Sequence, residues 1–242
     1  THYDIILIGT GQATGTLLGP LREKGLTLAI VEAGRVGGTC VNYGCSPTKT
    51  LVASARAAHM ARRGPDFGVM TDGFTIDFEK VMARQNNLRN SWSEGMAEWL
   101  GNTEGVTLYR EHARFTSADT VQVGGEEITA DRIIIHTGAR PRVIDLPGLD
   151  EVEWMTNRDL LNLTERPDHL IIIGGSYISM EFAQAFRRFG SEVTILERND
   201  QLMYREDEDI AQAAREVLAG EGISVHCNVT VQRASKGTGD PI

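Results

Sequence analysis

Basic residues are what this sequence is short of: 24 Lys and Arg stand against 33 Asp and Glu, leaving a net charge of −9. A nucleic-acid partner would require a basic face, so that class is excluded. Long apolar runs are missing as well, and none approaches the ~18 residues of a membrane span. No membrane partner is expected, nor a signal peptide, since Thr1 leads almost directly into a strand. Cysteine is scarce, three among 242 residues, too few for the disulfide scaffold of a small secreted domain. The six histidines show no metal-ligand spacing; His59, His112, His136 and His226 read as structural or exposed, and no metal site is expected. With 41% hydrophobic and 24% charged residues, the chain is globular and long enough for one large domain or two small ones.

Residues 5–8 form a continuous apolar run closed by Gly9-Thr10-Gly11, the pattern of a buried parallel strand turning into a helix. That helix is expected to run to about Lys24-Gly25, and a second strand over 26–31 ends at Glu32. Backbone amides can approach a diphosphate only where side chains are absent, at a helix N-terminus whose dipole favours negative charge. A carboxylate at the tip of the second strand then accepts hydrogen bonds from ribose hydroxyls. The unit is a βαβ dinucleotide fingerprint, and it recurs. Residues 170–173 are followed by Gly174-Gly175-Ser176, a helix through Phe189-Gly190 and a strand over 192–196 that ends at Glu197. Gly9 to Glu32 and Gly174 to Glu197 both span 23 positions; Gly9 to Gly25 and Gly174 to Gly190 both span 16. One glycine match is weak, but two with equal internal spacing predict two Rossmann-like units in an α/β fold. Each copy departs from the pattern. Thr14 stands where the third glycine is expected, with Gly15 next to it to take the close helix–strand contact. Ser176 replaces the middle glycine of the second copy and Ser179 the third, so weaker binding is expected there.

Between the two lies the most distinctive stretch, Gly37-Gly38-Thr39-Cys40-Val41-Asn42-Tyr43-Gly44-Cys45-Ser46-Pro47-Thr48-Lys49. On an ideal helix, positions i and i+5 are turned roughly 140° apart with Cα atoms about 8 to 9 Å from each other. No disulfide spans that gap without backbone movement. A bridge between Cys40 and Cys45 therefore requires a distorted first turn, which Gly44 and the missing N–H of Pro47 would permit. Lys49, one turn beyond Cys45, can share its face and lower a nearby thiol's pKa. A redox-active pair is the hypothesis. Its alternatives are two unrelated buried thiols, or a zinc site short of ligands, with Cys227 the only other cysteine.

Downstream, residues 77 to about 100 read as a long helix whose apolar stripe serves a core or subunit interface. Residues 106–108 look like a strand, and 120–123 with 128–130 like a hairpin across Gly124-Gly125. Residues 132–135 form another buried strand running into His136-Thr137-Gly138-Ala139-Arg140-Pro141, and the stretch 141–150 reads as a domain boundary. Residues 205–209 are a charge run at a helix start.

The cysteine segment resembles the signature of the flavin-dependent pyridine nucleotide-disulfide oxidoreductases, the family of lipoamide dehydrogenase, glutathione reductase and mercuric reductase. Its Pro-Thr-Lys ending and the residues after it, Thr50 to Arg56, are most similar to the mercuric-reductase-like branch. The resemblance implies a three-layer FAD/NAD(P)-binding fold with a small antiparallel segment added to the first domain. Residues 1–148 would be an FAD-binding domain lacking its C-terminal return segment, and 149–242 an incomplete NAD(P)-binding domain. It implies that electrons pass from NAD(P)H through FAD to a Cys40–Cys45 disulfide and on to a small disulfide, metal ion or other small molecule. Cys45 would face the flavin and Cys40 the substrate, with Lys49 beside the flavin's reactive nitrogen, Glu181 paired to that lysine and Tyr177 covering the flavin. Gly9, Gly11, Gln12, Ala13, Gly15, Glu32, Gly38, Thr39, Ala113, Thr137 and Gly138 would hold FAD. Gly174, Ser176, Tyr177, Ile178, Glu197 and Arg198 would hold the nicotinamide nucleotide. Glu197 favours NADH, because a carboxylate at the ribose 2′-OH repels the extra phosphate of NADPH; Arg198 beside it leaves NADPH the alternative. A cytoplasmic homodimer is implied for the whole protein, with its dimerisation domain outside this sequence. The alternative is a non-catalytic nucleotide-binding or redox-sensing fragment.

Overall fold

A computed structural model describes residues 1–237. The chain divides into two compact units, Thr1–Pro47 with Gln85–Arg140, and Thr48–Arg84 with Pro141–Ile242. Of the expected second domain, residues 238–242 lie outside the described part.

The first unit is built on β1 (His2–Ile8), α1 (Gln12–Glu23), β2 (Leu28–Val31), the short α2 (Gly38–Tyr43) and the start of α3 (Cys45–Arg63). It continues through most of α4 (Phe78–Gly101), β3 (Val106–Tyr109), β4 (Ala113–Phe115), β5 (Thr120–Val123) and β6 (Glu126–Ile135). The six strands run in the order β3-β2-β1-β6-β5-β4, the first four parallel and β5 and β4 antiparallel to their neighbours. Alternation along β1 and β2 sorts the core into two layers. Ile5, Leu7, Leu28 and Ile30 pack with Leu18 of α1, Val36 and Leu100 of α4. Ile6, Ile8, Ala29 and Val31 pack with Val121, Val123, Ile128 and Ala130, so the antiparallel end covers the opposite face. Helix, sheet and antiparallel flap make the three layers. β2 begins two residues later than its apolar run suggests, because Thr27 is diverted to Asp4, whose carboxylate accepts from the Thr27 amide at 2.6 Å and its hydroxyl at 2.7 Å. The segments expected over 128–130 and 132–135 are one ten-residue strand, β6, which pairs with β5 at one end and β1 at the other.

In the second unit, α3 and the start of α4 join α5 (Asn157–Leu160), β7 (His169–Ile173), α6 (Tyr177–Phe189), β8 (Glu192–Leu196), α7 (Glu208–Gly220) and β9 (Ser224–His226). The three strands are parallel in the order β7-β8-β9. Phe182, Phe186 and Phe189 of α6 bury against Leu51 and Ala55 of α3, Phe78 and Met82 of α4 and Val193 and Ile195 of β8. Phe186 meets Phe189 edge-on at 6.2 Å between ring centroids.

A charged cluster ties α6 to the end of α7. Glu221 accepts from Arg188 Nε at 2.8 Å and a terminal Arg188 nitrogen at 2.6 Å, and from Gln184 at 2.8 Å. Burial pushes the Glu221 carboxyl up, but the Arg188 bonds and charge, His59 and Gln184 outweigh it and hold it below the usual range. A carboxyl held low stabilises the fold above its unfolded value, about 4.3, and that contribution is lost as pH falls through the folded value. Between about pH 5 and about pH 3 the native chain is expected to lose more stability than Glu221→Gln, read by urea unfolding. Equal acid sensitivity of the two proteins would show that the cluster carries no such linkage.

Candidate functional site: two nucleotide loops and a thiol pair

The first loop is closed by its own backbone. Gly9 has φ +112°, donates its amide to the Val31 carbonyl at 2.8 Å, and leaves no room for a side chain, since a Cβ would lie 2.1 Å from the His136 carbonyl oxygen. Gly11 caps α1 without any side-chain bond, and the first turn holds no acidic residue. The first-turn amides of a helix have no helical carbonyl to bond, and the dipole makes that end an anion site. Gln12 and Gly15 are exposed there and Ala13 half-buried. Gly15 does not make the expected close contact: a Cβ on it would meet nothing within 4 Å. Thr14 takes that place instead, buried at 1% exposure with its hydroxyl donating to the Gly9 carbonyl at 3.0 Å. At the tip of β2, Glu32 accepts from the Thr10 amide at 3.1 Å, the Thr10 hydroxyl at 2.6 Å and the Gly34 amide at 2.8 Å.

The thiol segment is anchored to that loop. The Gly37 amide donates to the Thr10 hydroxyl at 3.0 Å, and Gly38, at φ +61°, passes so close that a Cβ would sit 2.6 Å from the Gly11 Cα. Asn42 fastens α2 from within, donating to the carbonyls of Val36 at 2.9 Å and Gly38 at 3.0 Å while accepting from Arg35 at 2.9 Å. Thr39 is exposed at its start. The helix breaks at Gly44, where a Cβ would lie 3.1 Å from the Thr39 carbonyl oxygen and 3.4 Å from the Cys40 Cα, and α3 starts afresh at Cys45. Pro47 falls in the first turn of α3, where its missing amide costs nothing. The break brings Cys40, half-buried, and Cys45, exposed, near one another as free thiols. Burial first, then Cys45, pushes the Cys40 thiol up. Lys49 stands one turn on from Cys45 in α3.

In the second unit, Lys49 and Glu181 form a close ion pair, the lysine side chain 65% exposed and the carboxylate 28%. Gly174, at φ +104°, ends β7, and Ser176 is the N-cap of α6 with an ordinary φ of −81° and no side-chain cap bond. Ser176, Tyr177 and Ile178 are all exposed at that helix start. Glu197 is buried to 6% and accepts from the Gly175 amide at 2.6 Å and from the Asn199 amide and side chain at 2.7 and 2.6 Å. Arg198 beside it is exposed. Of the remaining positions, Ala113 heads β4 opposite Val123, and Thr137 and Gly138 are exposed after β6.

Four residues that complete these loops have no signal in the sequence pattern. Thr10 joins Glu32 to Gly37, and Asn199 covers Glu197. Leu202 fills the space beside Gly175, its Cδ2 lying 2.6 Å from where a Cβ would be. His136, read as structural or exposed, lays its imidazole on Gly11 and accepts the Ala13 amide at Nε2, 3.3 Å away. Among the described residues no group of three or more His, Cys, Asp or Glu could hold a metal ion, and no helix is long and apolar enough to cross a membrane.

Two glycine loops of one design, with paired thiols hung on the first, match the architecture of the flavoprotein disulfide reductases. The chain belongs to the pyridine nucleotide-disulphide oxidoreductase family, whose model matches residues 3–240. It is 35% identical to a mercuric reductase of Bacillus cereus over 97% of its own length and 37% of that protein. To a dihydrolipoyl dehydrogenase of Acholeplasma laidlawii it is 34% identical, over 96% of its length and 70% of that protein. The Cu(II) complex of the HOCl-induced flavoprotein disulfide reductase RclA from Escherichia coli superposes with a TM-score of 0.84 at 33% identity, covering 98% of this chain and 52% of that one. The chain thus spans about half or less of the mercuric reductase and of RclA.

Proposed function

We propose that the chain is the flavin- and nucleotide-binding portion of an oxidoreductase that passes electrons from NAD(P)H through FAD to Cys40 and Cys45, and on to a small disulfide or metal-ion substrate. The observation that carries this reading is the break at Gly44, which sets the two thiols side by side on a segment bonded to the first nucleotide loop. In this reading 1–148 is the FAD domain and 149–242 the NAD(P) domain, and the whole protein is a cytoplasmic homodimer.

The first loop fits FAD: its glycines permit close backbone approach, and the start of α1 offers amides to the diphosphate with no acid in the way. Gly9, Gly11, Gln12, Ala13, Gly15 and Gly38 would line the diphosphate, Glu32 would keep an acceptor for ribose, and Thr39, Ala113, Thr137 and Gly138 would complete the site. FAD would supply the two-electron exchange between a nicotinamide and a sulfur pair. The residues then have separate tasks. Cys45 faces the flavin; Cys40 attacks substrate, so that a substrate disulfide leaves as two thiols while Cys40 and Cys45 close into a disulfide and release their protons. The Lys49 ammonium, held by Glu181, would supply a fixed positive charge to a bound FAD. Gly174, Ser176, Tyr177 and Ile178 would receive the nicotinamide nucleotide.

NADH is proposed over NADPH, because Glu197, with three donors already on it and one acceptor direction left, would meet the ribose 2′-hydroxyl of a bound nucleotide. Anaerobic titration of the FAD-reconstituted chain, followed by visible absorbance, tests the reading. NADH is expected to bleach the flavin band at lower concentration than NADPH, by roughly tenfold. A lower requirement for NADPH would reverse the coenzyme assignment, and a fully folded protein that retains no flavin would favour a non-catalytic fragment.

A further inference from the structure

Within the first unit, α4 turns an apolar face to solvent. Trp92 and Trp99 are 50% and 47% exposed, and with Met96, Gly95, Ser91 and Val41 they line a groove of about 370 Å³. Trp92, Gly95 and Trp99 stand three and four positions apart, so they share one side of the helix and the glycine is the floor between two indole walls. A Cβ on Gly95 would meet nothing within 4 Å, and a glycine inside a helix costs about 1 kcal/mol against alanine. Among the described residues no contact uses the gap it leaves. An occupant of the groove would.

The groove is tied to the thiol segment. Val41, its wall outside α4, follows Cys40 in α2, and neighbouring Cα atoms are about 3.8 Å apart. Two bonds hold α4 to the same stretch: the Ser93 hydroxyl donates to the Val36 carbonyl at 2.7 Å, and Arg35 donates to the Asn90 side chain at 2.6 Å. Asn42 grips Arg35 and the Val36 carbonyl from within α2. A molecule whose sulfur meets Cys40 needs an arm of only a few bonds to reach the indoles. Charge then chooses among arms. Glu94 and Glu98 are exposed on this stretch of α4, whereas Arg89 is buried and Arg35 is committed to Asn42 and Asn90. A carboxylate-bearing arm is repelled there, while an aromatic arm with a positive charge stacks on the indole faces and keeps its charge near the two acids.

We propose that this groove is the substrate subsite of the thiol pair, and that it selects small disulfides with an aromatic arm, uncharged or cationic. The inference rests on Cys40 attacking the substrate, as proposed above. With the arm in the groove, the Cys40 sulfur attacks the nearer substrate sulfur; the substrate S–S bond breaks, a mixed disulfide with Cys40 forms, and one substrate thiol leaves with the Cys40 proton. Cys45 then attacks Cys40, the mixed disulfide breaks, and the second substrate thiol leaves with the Cys45 proton as the Cys40–Cys45 bond closes. The substrate gains the two electrons that the cysteine pair loses.

The test compares N,N′-dibenzylcystamine, cationic and aromatic, with cystamine, cationic without rings, and oxidised glutathione, anionic. In the flavin-loaded full-length protein with NADH, kcat/KM for dibenzylcystamine is expected to exceed that for either of the others by at least about tenfold, mostly through KM. Gly95→Leu fills the groove with a side chain that favours the helix, so the variant folds, and the preference should shrink to under about threefold. A second readout needs neither flavin nor turnover. N-benzyl-2-(methylthio)ethylamine, a thioether that cannot exchange, should change the tryptophan fluorescence of the native chain saturably, and Gly95→Leu should require about tenfold more of it. Equal preference in native and variant proteins would overturn the subsite and leave the sulfur relay standing. Dimers that Gly95→Leu disperses in sedimentation, with no fluorescence response to the thioether, would give this face to a second copy of the chain and overturn the substrate assignment. Thioether binding without reduction of any disulfide would overturn the relay itself, and the inference with it.

Discussion

Replacing Cys45 by serine is expected to stop electron delivery beyond the flavin. A single sulfur cannot close and reopen a disulfide, and Cys45 is the thiol that the break at Gly44 sets beside Cys40. Reduction of a small disulfide by NADH, measured in the flavin-loaded full-length protein, should fall by at least about a hundredfold. The chain itself gives a second readout. With Cys40 and Cys45 bridged by mild oxidation, native protein should retain one titratable thiol of its three, Cys227, and Cys45→Ser should retain two. Serine adds no bulk at an exposed position, so flavin content should be unchanged. If the native chain keeps three thiols after mild oxidation, or the serine variant keeps activity within about threefold, the sulfur relay is wrong.

The second large effect is on folding. Gly9→Ala places a Cβ 2.1 Å from one backbone oxygen and 2.8 Å from the carbon of the same His136 carbonyl, at φ +112°. Neither atom can swing aside as a side chain does, so β6 must shift against β1 or the loop must open. A loss of about 3 kcal/mol, or a fall in Tm near 10 °C, is expected, together with loss of FAD binding. Gly25→Ala provides the comparison: it has φ +70° but open space within 4 Å, and should cost only about 1 kcal/mol. Equal losses in the two variants would mean that left-handed backbone alone, and not the meeting with His136, fixes the glycine.

Those two residues also mark where sequence reading succeeds and where it stops. Gly9 announces itself, because a strand ending in a glycine turn, a helix and a terminal acid is a local pattern with fixed spacing, and it recurs at Gly174. The break at Gly44 is legible for the same reason: a glycine and a proline bracket the second cysteine within four positions. His136 is not legible. Its place over Gly11 depends on pairing between β1 and β6, elements some 127 positions apart along the chain. A histidine in a strand end has no periodicity that reveals what the register will set it against. Thr14 misleads for a related reason: glycine is expected at the tight contact, yet a buried hydroxyl that bonds the Gly9 carbonyl fills the space as well. The division of α3 and α4 between the two compact units was equally hidden, since nothing in the helix sequences marks the positions 47 and 85 at which contacts change.

Glu32 and Glu197 clasp their loops in the same manner, each taking the amide 22 residues before it and the amide two residues after it. Loop shape alone is thus a sufficient reason for both acids. A descendant of this fold that had shed its coenzymes would still unravel at those turns without them. Ancestry by duplication of one such clasped unit would leave this imprint in both acids and the amides they hold.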